Sequence, residues 1–266
     1  MTINLKEGTY FGEDLKSYDN DYLKFSITSY EPNHDTVKHY HDNNYLSILT
    51  NGNYSEQNED KTIFITAGSI LFRPNNYAHK NNFNNDGGTC FNIEFKKDWQ
   101  KQFESQFILP DEFTQYKPGS FPSLYSLLIS FKNNHHEDLA LEFISEWLFQ
   151  INNITDVGRF KSLVKKVIEI VEDEIECFHS LESLSKKVFV HPVYLARAFK
   201  QATGITIGAY QLNLKLTNAF SLLLNTALPI SDITHRYGFY DDAHFIRSFK
   251  SIYTISPHQF RLAIKS

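Results

Sequence analysis

ISDITHRYGFYDDAHFIRSFKSIYTISPHQFR, residues 230–261, is the stretch that decides the fold of this chain. Its apolar residues recur at helical spacing in three successive segments. Gly238 follows the first segment, where a helix end favours a residue that accepts positive φ. Asp241 can cap a second helix, and Ser256 and Pro257 can begin a third. The pattern therefore predicts a helix, a tight turn, a helix, a turn and a helix.

The second of these helices is predicted to have two contrasting faces. Phe245, Phe249 and Ile252 form its buried stripe, whereas Arg247 and Lys250 point the other way. Two short helices joined by a glycine-containing turn, the second carrying basic residues outward, are suited to enter a DNA major groove. We predict that the residues facing DNA on this helix are Ala243, His244, Arg247 and Lys250.

The same stretch resembles the C-terminal signature of the AraC/XylS family of bacterial transcription regulators. Many positions at fixed spacing carry this resemblance, namely Ile230, Ile233, Gly238, Phe239, Asp241, Phe245, Arg247, Phe249, Lys250, Ser256, Pro257 and Arg261. Two positions depart from the family pattern: Ala243 replaces a common serine, and Thr254 replaces the usual glycine before Ser256. The resemblance implies an all-α DNA-binding domain with two helix-turn-helix units.

Residues 180–204 repeat the plan of a short helix, a turn and a second helix. The second helix is predicted to begin near Pro192 and to bury Leu195, Ala198 and Phe199. Its opposite face follows the spacing i, i+3, i+4, i+7 and is the predicted groove-facing stripe, formed by Val193, Ala196, Arg197 and Lys200. The alternative for the arginines of both units is that they are exposed residues that form salt bridges.

Residues 1–102 are predicted to form strands and turns. Short apolar runs at 23–29, 45–49, 62–65, 70–73 and 90–95 are separated by Asn, Asp, Gly and Pro. Regular short strands of this kind are typical of a barrel or a sandwich. Residues 25–97 also resemble the cupin barrel that many AraC-type regulators carry at the N-terminus.

The cupin resemblance draws attention to four residues, His39, His41, Tyr45 and His79. His39 and His41 lie two apart on a strand, so they point to the same face. In metal-binding cupins the equivalents of these three histidines and a glutamate hold one ion, but Tyr45 stands at the glutamate position here. We predict that the four residues line a small-molecule site, and we assign no metal or cofactor. A metal held by three imidazoles and a purely structural role are the alternatives.

Residues 121–152 change to helical periodicity. Two apolar stripes, one around Leu124 and Leu128 and one around Ile144 and Trp147, predict two helices. They resemble the dimerisation helices of the family, and the alternative is that both pack on their own chain. Residues 153–159 are turn-rich and are predicted to be a linker.

The net charge also differs between the two sides of the predicted linker. Residues 158–266 carry 14 Lys and Arg against 9 Asp and Glu, a net charge of +5, whereas residues 1–157 carry 12 against 22, a net charge of −10. A basic C-terminal part suits a polyanion-binding domain, although a solvated surface explains the same numbers. The two cysteines follow no metal spacing and are expected to be free thiols in a reducing cytosol. The N-terminus has no apolar signal region, so we expect a cytoplasmic protein without membrane association.

These observations predict an α+β protein with two domains. Residues 1–152 form a cupin-like β-barrel with appended helices, the barrel covering about 1–102 and the helices about 121–152. Residues 160–266 form an all-α domain with two helix-turn-helix units. The predicted function is sequence-specific binding of double-stranded DNA to regulate transcription, modulated by a small-molecule effector or by homodimer formation, with RNA polymerase as a further partner. The chain is not predicted to be an enzyme; the rival interpretation is a metal-dependent cupin enzyme with a helical appendage.

Overall fold

The structure is a computed structural model that describes residues 2–59, 61–99, 108–133, 140–152, 161–190 and 192–265. It divides into two compact units. The first takes its described residues from 1–120, 127–137 and 261–266, and the second from 121–126 and 138–260. The predicted linker at 153–159 lies outside the described residues, so the domain boundaries remain a prediction. In the parts of the chain that are described, no helix combines the length and the apolarity needed to cross a membrane.

The N-terminal region is rich in sheet, as the strand pattern predicted. All five predicted apolar runs lie inside strands. The strands found among the described residues are β1 (Ile3–Leu5), β2 (Glu13–Asp19), β3 (Leu23–Tyr30), β4 (His39–His41), β5 (Asn44–Asn58), β6 (Lys61–Thr66), β7 (Ile70–Arg73), β8 (Lys80–Phe95) and β9 (Thr114–Tyr116).

Seven of these strands form one sheet in the order β2-β3-β8-β5-β7-β9, with β6 paired to β5. All of its pairs are antiparallel, and the central strands β5 and β8 are bent by register shifts at 49/51 and 52/54. β1 and β4 form a separate parallel pair. Within the described strands, β2 and β9 do not pair to close the sheet. The structure therefore confirms a sheet-rich region, and the closed cupin-like barrel remains a prediction.

Two helices follow the sheet, α1 (Pro122–Lys132) and α2 (Ala140–Asn152). Both predicted apolar stripes are present, and Leu124, Leu128, Ile144 and Trp147 are fully buried within a single chain. Burial of these side chains agrees with the alternative that both helices pack on their own chain. The proposed role in dimerisation remains a prediction.

The C-terminal region is helical. Its helices are α3 (Lys161–Asp173), α4 (Leu181–Lys187), α5 (Pro192–Thr203), α6 (Ile207–Asn225), α7 (Ile230–Arg236), α8 (Asp242–Tyr253) and α9 (Pro257–Lys265). One apolar core joins Val167 of α3, Leu184 of α4 and Leu195 and Phe199 of α5. An aromatic cluster holds the later helices together: the ring centroid of Phe220 on α6 lies 5.1 Å from that of Tyr253 and 5.0 Å from that of Phe260.

The helix ends follow the sequence signals. Asp241 caps α8, because its carboxylate accepts a hydrogen bond from the backbone N–H of His244 at 2.5 Å. Ser256 and Gln259 bond reciprocally at the start of α9, which is a capping box. The predicted buried stripe of α8 was wrong at one position. Ile252 is only half-buried and Tyr253 is buried instead, because residue 253 lies one helical turn beyond Phe249 and their ring centroids pack 4.4 Å apart.

Candidate DNA-binding and ligand-binding sites

Helix α5 buries one face and exposes the other. Leu195, Ala198 and Phe199 face the core, as expected. On the opposite side Val193, Arg197 and Lys200 are exposed, and Ala196 is half-buried among them. The four predicted groove-facing residues therefore lie on one continuous outer stripe.

Helix α8 repeats this arrangement. Phe245 and Phe249 are buried, and their ring centroids lie 5.8 Å apart. Ala243, Arg247 and Lys250 are exposed on the opposite side. His244 differs, because it is half-buried and its ring packs edge-on against Phe239 at 5.7 Å. Three of the four predicted residues therefore lie on the outer face, and His244 lies at its edge.

The outer faces of α5 and α8 carry four basic side chains whose charged groups have no bonding partner in the described part of the chain. Among the residues that the structure describes, the charged groups of Arg197, Lys200, Arg247 and Lys250 form no ion pair and no hydrogen bond. The alternative that the arginines serve in salt bridges has no support within that part of the chain. Free guanidinium and ammonium groups on a helix face suit phosphate oxygens and guanine edges.

Lys215 of α6 links two helix pairs, of which the first is α4 with α5 and the second is α7 with α8. Its ammonium group donates to the carbonyl of Glu176 at 3.1 Å and to the carbonyl of Gly238 at 3.2 Å. Glu176 lies ahead of α4, and Gly238 forms the turn between α7 and α8. Gly238 adopts φ = 59°, and a Cβ built on it would lie 2.0 Å from the same Glu176 carbonyl. Burial lowers the pKa of Lys215.

The sheet-rich unit brings together all four residues predicted to line a ligand site. His39 and His79 face each other across a backbone bridge, because the N–H of each donates to the carbonyl of the other at 2.8 Å. Directly opposed residues of an antiparallel pair share a face, and so do His39 and His41 on β4. The ring of Tyr45 lies 4.5 Å from that of His41, and its hydroxyl lies 3.2 Å from Nε2 of His79. All four side chains are buried.

Hydrogen bonds assign the tautomers of two of these histidines. Nδ1 of His39 lies 2.8 Å from the carbonyl of Val37, and Nδ1 of His79 lies 3.1 Å from the carbonyl of Tyr77. A carbonyl only accepts, so both Nδ1 atoms carry the proton and both Nε2 atoms present a lone pair. Burial lowers the pKa of His39, lowers that of His79 well below its usual value, and lowers that of His41 to about 2. The cluster is therefore neutral at pH 7.

The space next to this cluster is small. Tyr10, Phe11, His39, His41 and Tyr45 line a cavity that leaves about 20 Å³ for a water-sized sphere. That is room for roughly one water molecule. Pockets for organic ligands usually measure about 300–1,000 Å³. In this conformation three of the four predicted residues, His39, His41 and Tyr45, line a space of atomic size.

The sequence did not indicate a buried ion pair beside the cluster. Nε of Arg73 lies 3.2 and 3.1 Å from the two carboxylate oxygens of Glu56, and Nη2 also donates to that carboxylate. Arg73 donates further to Ser47 at 2.7 Å and to the hydroxyl of Tyr54 at 2.8 Å, and it lies over the ring of Tyr45. The only sequence signal was an arginine at the end of an apolar strand. Its partners depend on strand register, which no local pattern encodes.

Comparison with known proteins places the C-terminal helices. The family described as Helix-turn-helix domain matches residues 184–263. The HTH-type transcriptional regulator YtdP of Bacillus subtilis is 28% identical over 123 residues, which cover 46% of this chain and 16% of YtdP. The Arabinose operon regulatory protein of Salmonella typhimurium is 26% identical over 165 residues, which cover 59% of this chain and 58% of that protein. The chain thus spans less than two thirds of the length of either relative.

A third relative is matched over most of its length. Multiple antibiotic resistance protein MarA of Escherichia coli is 30% identical over 99 residues, which cover 37% of this chain and 78% of MarA. Taken with the matched helix-turn-helix domain and the signature residues around Gly238 and Phe249, this similarity shows that the chain belongs to the AraC/XylS family of bacterial transcription regulators.

Proposed function

We propose that this protein binds double-stranded DNA in a sequence-specific manner and thereby regulates transcription in the cytoplasm. Two helix-turn-helix units carry out the binding, α4 with α5 and α7 with α8. The observation that carries the proposal is the pair of matching outer faces on α5 and α8, each with two uncommitted basic side chains. Two such helices joined by α6 are suited to read successive major-groove segments about 10 bp apart.

The predicted DNA-contacting residues are the outer stripes of the two helices. On α5 they are Val193, Ala196, Arg197 and Lys200, and on α8 they are Ala243, His244, Arg247 and Lys250. The arginines are suited to bond bidentately to guanine or to grip phosphate. The apolar members are suited to contact thymine methyl groups.

The sheet-rich unit acts as the regulatory part of the molecule in this proposal. It is a cupin-like module in which His39, His41, Tyr45 and His79 form the effector site. The further partners of the protein are a second copy of this chain, with which it forms a homodimer, and RNA polymerase. Two of the relatives named above, YtdP and the Arabinose operon regulatory protein, are named as regulators, which favours regulation over the rival interpretation of a metal-dependent enzyme.

The test begins with selection of bound duplexes from random DNA by the full chain. Affinity for the selected duplex and for a scrambled duplex is then measured against salt for Arg197→Ala and Arg247→Ala. Loss of a guanine contact should cost about 1–3 kcal/mol on the selected duplex alone. Loss of a phosphate contact should weaken both duplexes alike and reduce the salt slope by about one unit.

Phe249→Ala is the matched control on the buried face of α8. It should destabilise the fold by about 3–5 kcal/mol, because it leaves a cavity in the aromatic cluster. Both arginine variants should melt like the wild type. Normal affinity in both arginine variants would show that these faces do not contact DNA.

A further inference from the structure

We propose that the first helix pair holds a binding site for a small amphipathic organic anion, and that this ligand competes with DNA. The site is a cavity of about 370 Å³ between α4, α5 and the start of α6. Binding of the anion stands on the geometry of this cavity alone. The competition rests on the function proposed above, because it requires that the protein bind DNA.

The cavity has an apolar lining that three helices supply. Leu181 begins α4, Ala196 lies on the outer stripe of α5, and Ile207 begins α6. Pockets for organic ligands usually measure about 300–1,000 Å³ and are lined mainly by apolar side chains. The cavity meets both conditions, and its volume near the lower end of that range favours a compact ligand.

Two small residues leave the cavity open. Ala196 offers only a methyl group, and Gly208 in the first turn of α6 offers no side chain. Outside its own helix, a Cβ on Gly208 would meet only a ring carbon of Phe178 at 3.9 Å, which is an ordinary contact. Glycine is unfavourable within a helix, and the helical backbone here accepts other residues. The effect of the glycine is therefore to leave open space.

The polar wall of the cavity carries positive charge. Arg197 and Lys200 lie about one helical turn apart on α5, and both line the cavity. In the described part of the chain their charged groups form no ion pair and no hydrogen bond. The hydroxyl oxygen of Thr206 accepts from the N–H of Ala209 at 3.2 Å, and the hydroxyl proton donates to no described residue. An acidic group would accept from all three donors in charge-assisted hydrogen bonds.

The apolar lining and the positive wall together select an amphipathic anion. A neutral hydrocarbon in the cavity would leave the guanidinium and the ammonium without a partner, which is costly beside an apolar ligand. An inorganic anion would leave the apolar lining in contact with water. A molecule with a compact apolar body and one acidic group satisfies both walls. The ring of Phe178, which is exposed next to Gly208, offers further apolar contact at the edge.

This ligand and DNA require the same side chains. Arg197 and Lys200 belong to the outer stripe that we propose faces the major groove. An acidic group bound to them would occupy the donors that phosphate or guanine otherwise takes, and it would place negative charge beside the DNA backbone. Coupling between two ligands is reciprocal, so each lowers the affinity for the other. The anion would thus act on the DNA-binding helix itself.

The experiment uses the full chain and a fluorescent probe, anilinonaphthalene sulfonate, which joins an apolar ring system to one sulfonate. Its neutral parent, phenylnaphthylamine, lacks only the sulfonate. The wild type should bind the sulfonate at least about 10-fold more tightly than the parent, because hydrogen bonds to charged groups are stronger than those between neutral groups. Lys200→Gln should remove most of this preference and leave binding of the parent unchanged.

Two further variants separate the cavity from a general affinity for dyes. Gly208→Leu fills the cavity and should weaken binding of both probes by more than about 10-fold, because the ligand and the new side chain cannot share the space. Lys250→Gln removes the corresponding ammonium of α8, outside the cavity lining, and should bind both probes like the wild type. Melting of each variant shows whether it is folded.

Unchanged binding of the sulfonate by folded Gly208→Leu would overturn the site. Equal affinity of the wild type for the two probes, or an undiminished preference in Lys200→Gln, would overturn the selection for an anion.

DNA affinity then tests the competition. A saturating concentration of the sulfonate probe should weaken binding of the wild type to the selected duplex by about 5–150-fold, the range typical of coupled sites, and should not change that of Gly208→Leu. Probe binding without any change in DNA affinity would overturn the competition. Absence of DNA binding with and without the probe would refute the proposed function and leave the anion site standing.

Discussion

Thr254 shows how a single residue departs from the family pattern without changing the fold. It ends α8 with φ = 69°, the left-handed conformation that the missing glycine would adopt. Gly204 holds the equivalent place after α5, with φ = 78°. A left-handed conformation costs a residue with a Cβ about 1–2 kcal/mol, and a β-branched side chain is least suited to it. The turn after α8 therefore has the same left-handed geometry as the turn after α5, but Thr254 makes its backbone strained.

Replacing Thr254 by glycine should stabilise the protein by about 1 kcal/mol. Relief of strain outweighs the added flexibility of the unfolded chain and the lost contact of the Thr254 hydroxyl with the carbonyl of Tyr253 at 2.6 Å. Urea denaturation of the full chain measures the change. The matched variant is Gly204→Thr, which should lose about 1 kcal/mol through the backbone alone, since a Cβ there meets nothing within 4 Å. A less stable Thr254→Gly would show that the hydroxyl contact dominates.

At the scale of elements, local signals in the sequence predicted helix faces, caps and turns. They did not predict contacts between residues that are far apart in the chain. The faces of α5 and α8, the cap at Asp241 and the turn at Gly238 follow from spacing and from residue type, and the structure confirms them. Ile252 was misplaced because an apolar helical stripe that starts at Phe245 admits both i+7 and i+8, and spacing alone does not choose between them. The bonds from Lys215 to Glu176 and Gly238 span 39 and 23 residues, and nothing near Lys215 in the sequence indicates them.

Lys215→Met should loosen the arrangement of the two helix pairs while keeping the apolar stem in place. Two carbonyls would lose their buried partner, at a cost of about 1–3 kcal/mol. One inserted base pair rotates the second half-site by roughly 34–36°, so the wild type should discriminate strongly against it. The ratio of affinities for the selected duplex with and without the insertion should shrink in Lys215→Met and recover in Lys215→Arg. An unchanged ratio in a destabilised Lys215→Met would mean that the lysine only supports the fold.

At the scale of the whole molecule, the spacing of apolar residues predicted a sheet-rich N-terminal part and a helical C-terminal part, and the structure has both. Resemblance, rather than periodicity, drew attention to His39, His41, Tyr45 and His79, which the fold gathers from two strands and a bridge. The size of the cavity beside them could not be predicted, because it depends on how Tyr10 and Phe11 pack against the imidazoles.

Residues 158–266 should fold and bind DNA without the rest of the chain. Their first helix pair closes its own core around Val167, Leu195 and Phe199, and MarA matches this chain over 78% of its own length. The fragment should bind the selected duplex more weakly than the full chain if the full chain is a dimer, because the second contact then becomes intramolecular. Circular dichroism and gel retardation measure the two properties. A helical, soluble fragment that retards no duplex would count heavily against this prediction.

The turns of the two helix pairs will tolerate change unequally over evolutionary time. Phe189 occupies the first turn with φ = 56° and a side chain that is 93% exposed, so that site has already accepted a bulky residue. Gly238 occupies the second turn against the Glu176 carbonyl, which leaves no space for any side chain. Descendants of this protein can therefore diversify at the first turn, whereas the second admits only glycine, and new specificity would arise more readily through the first pair.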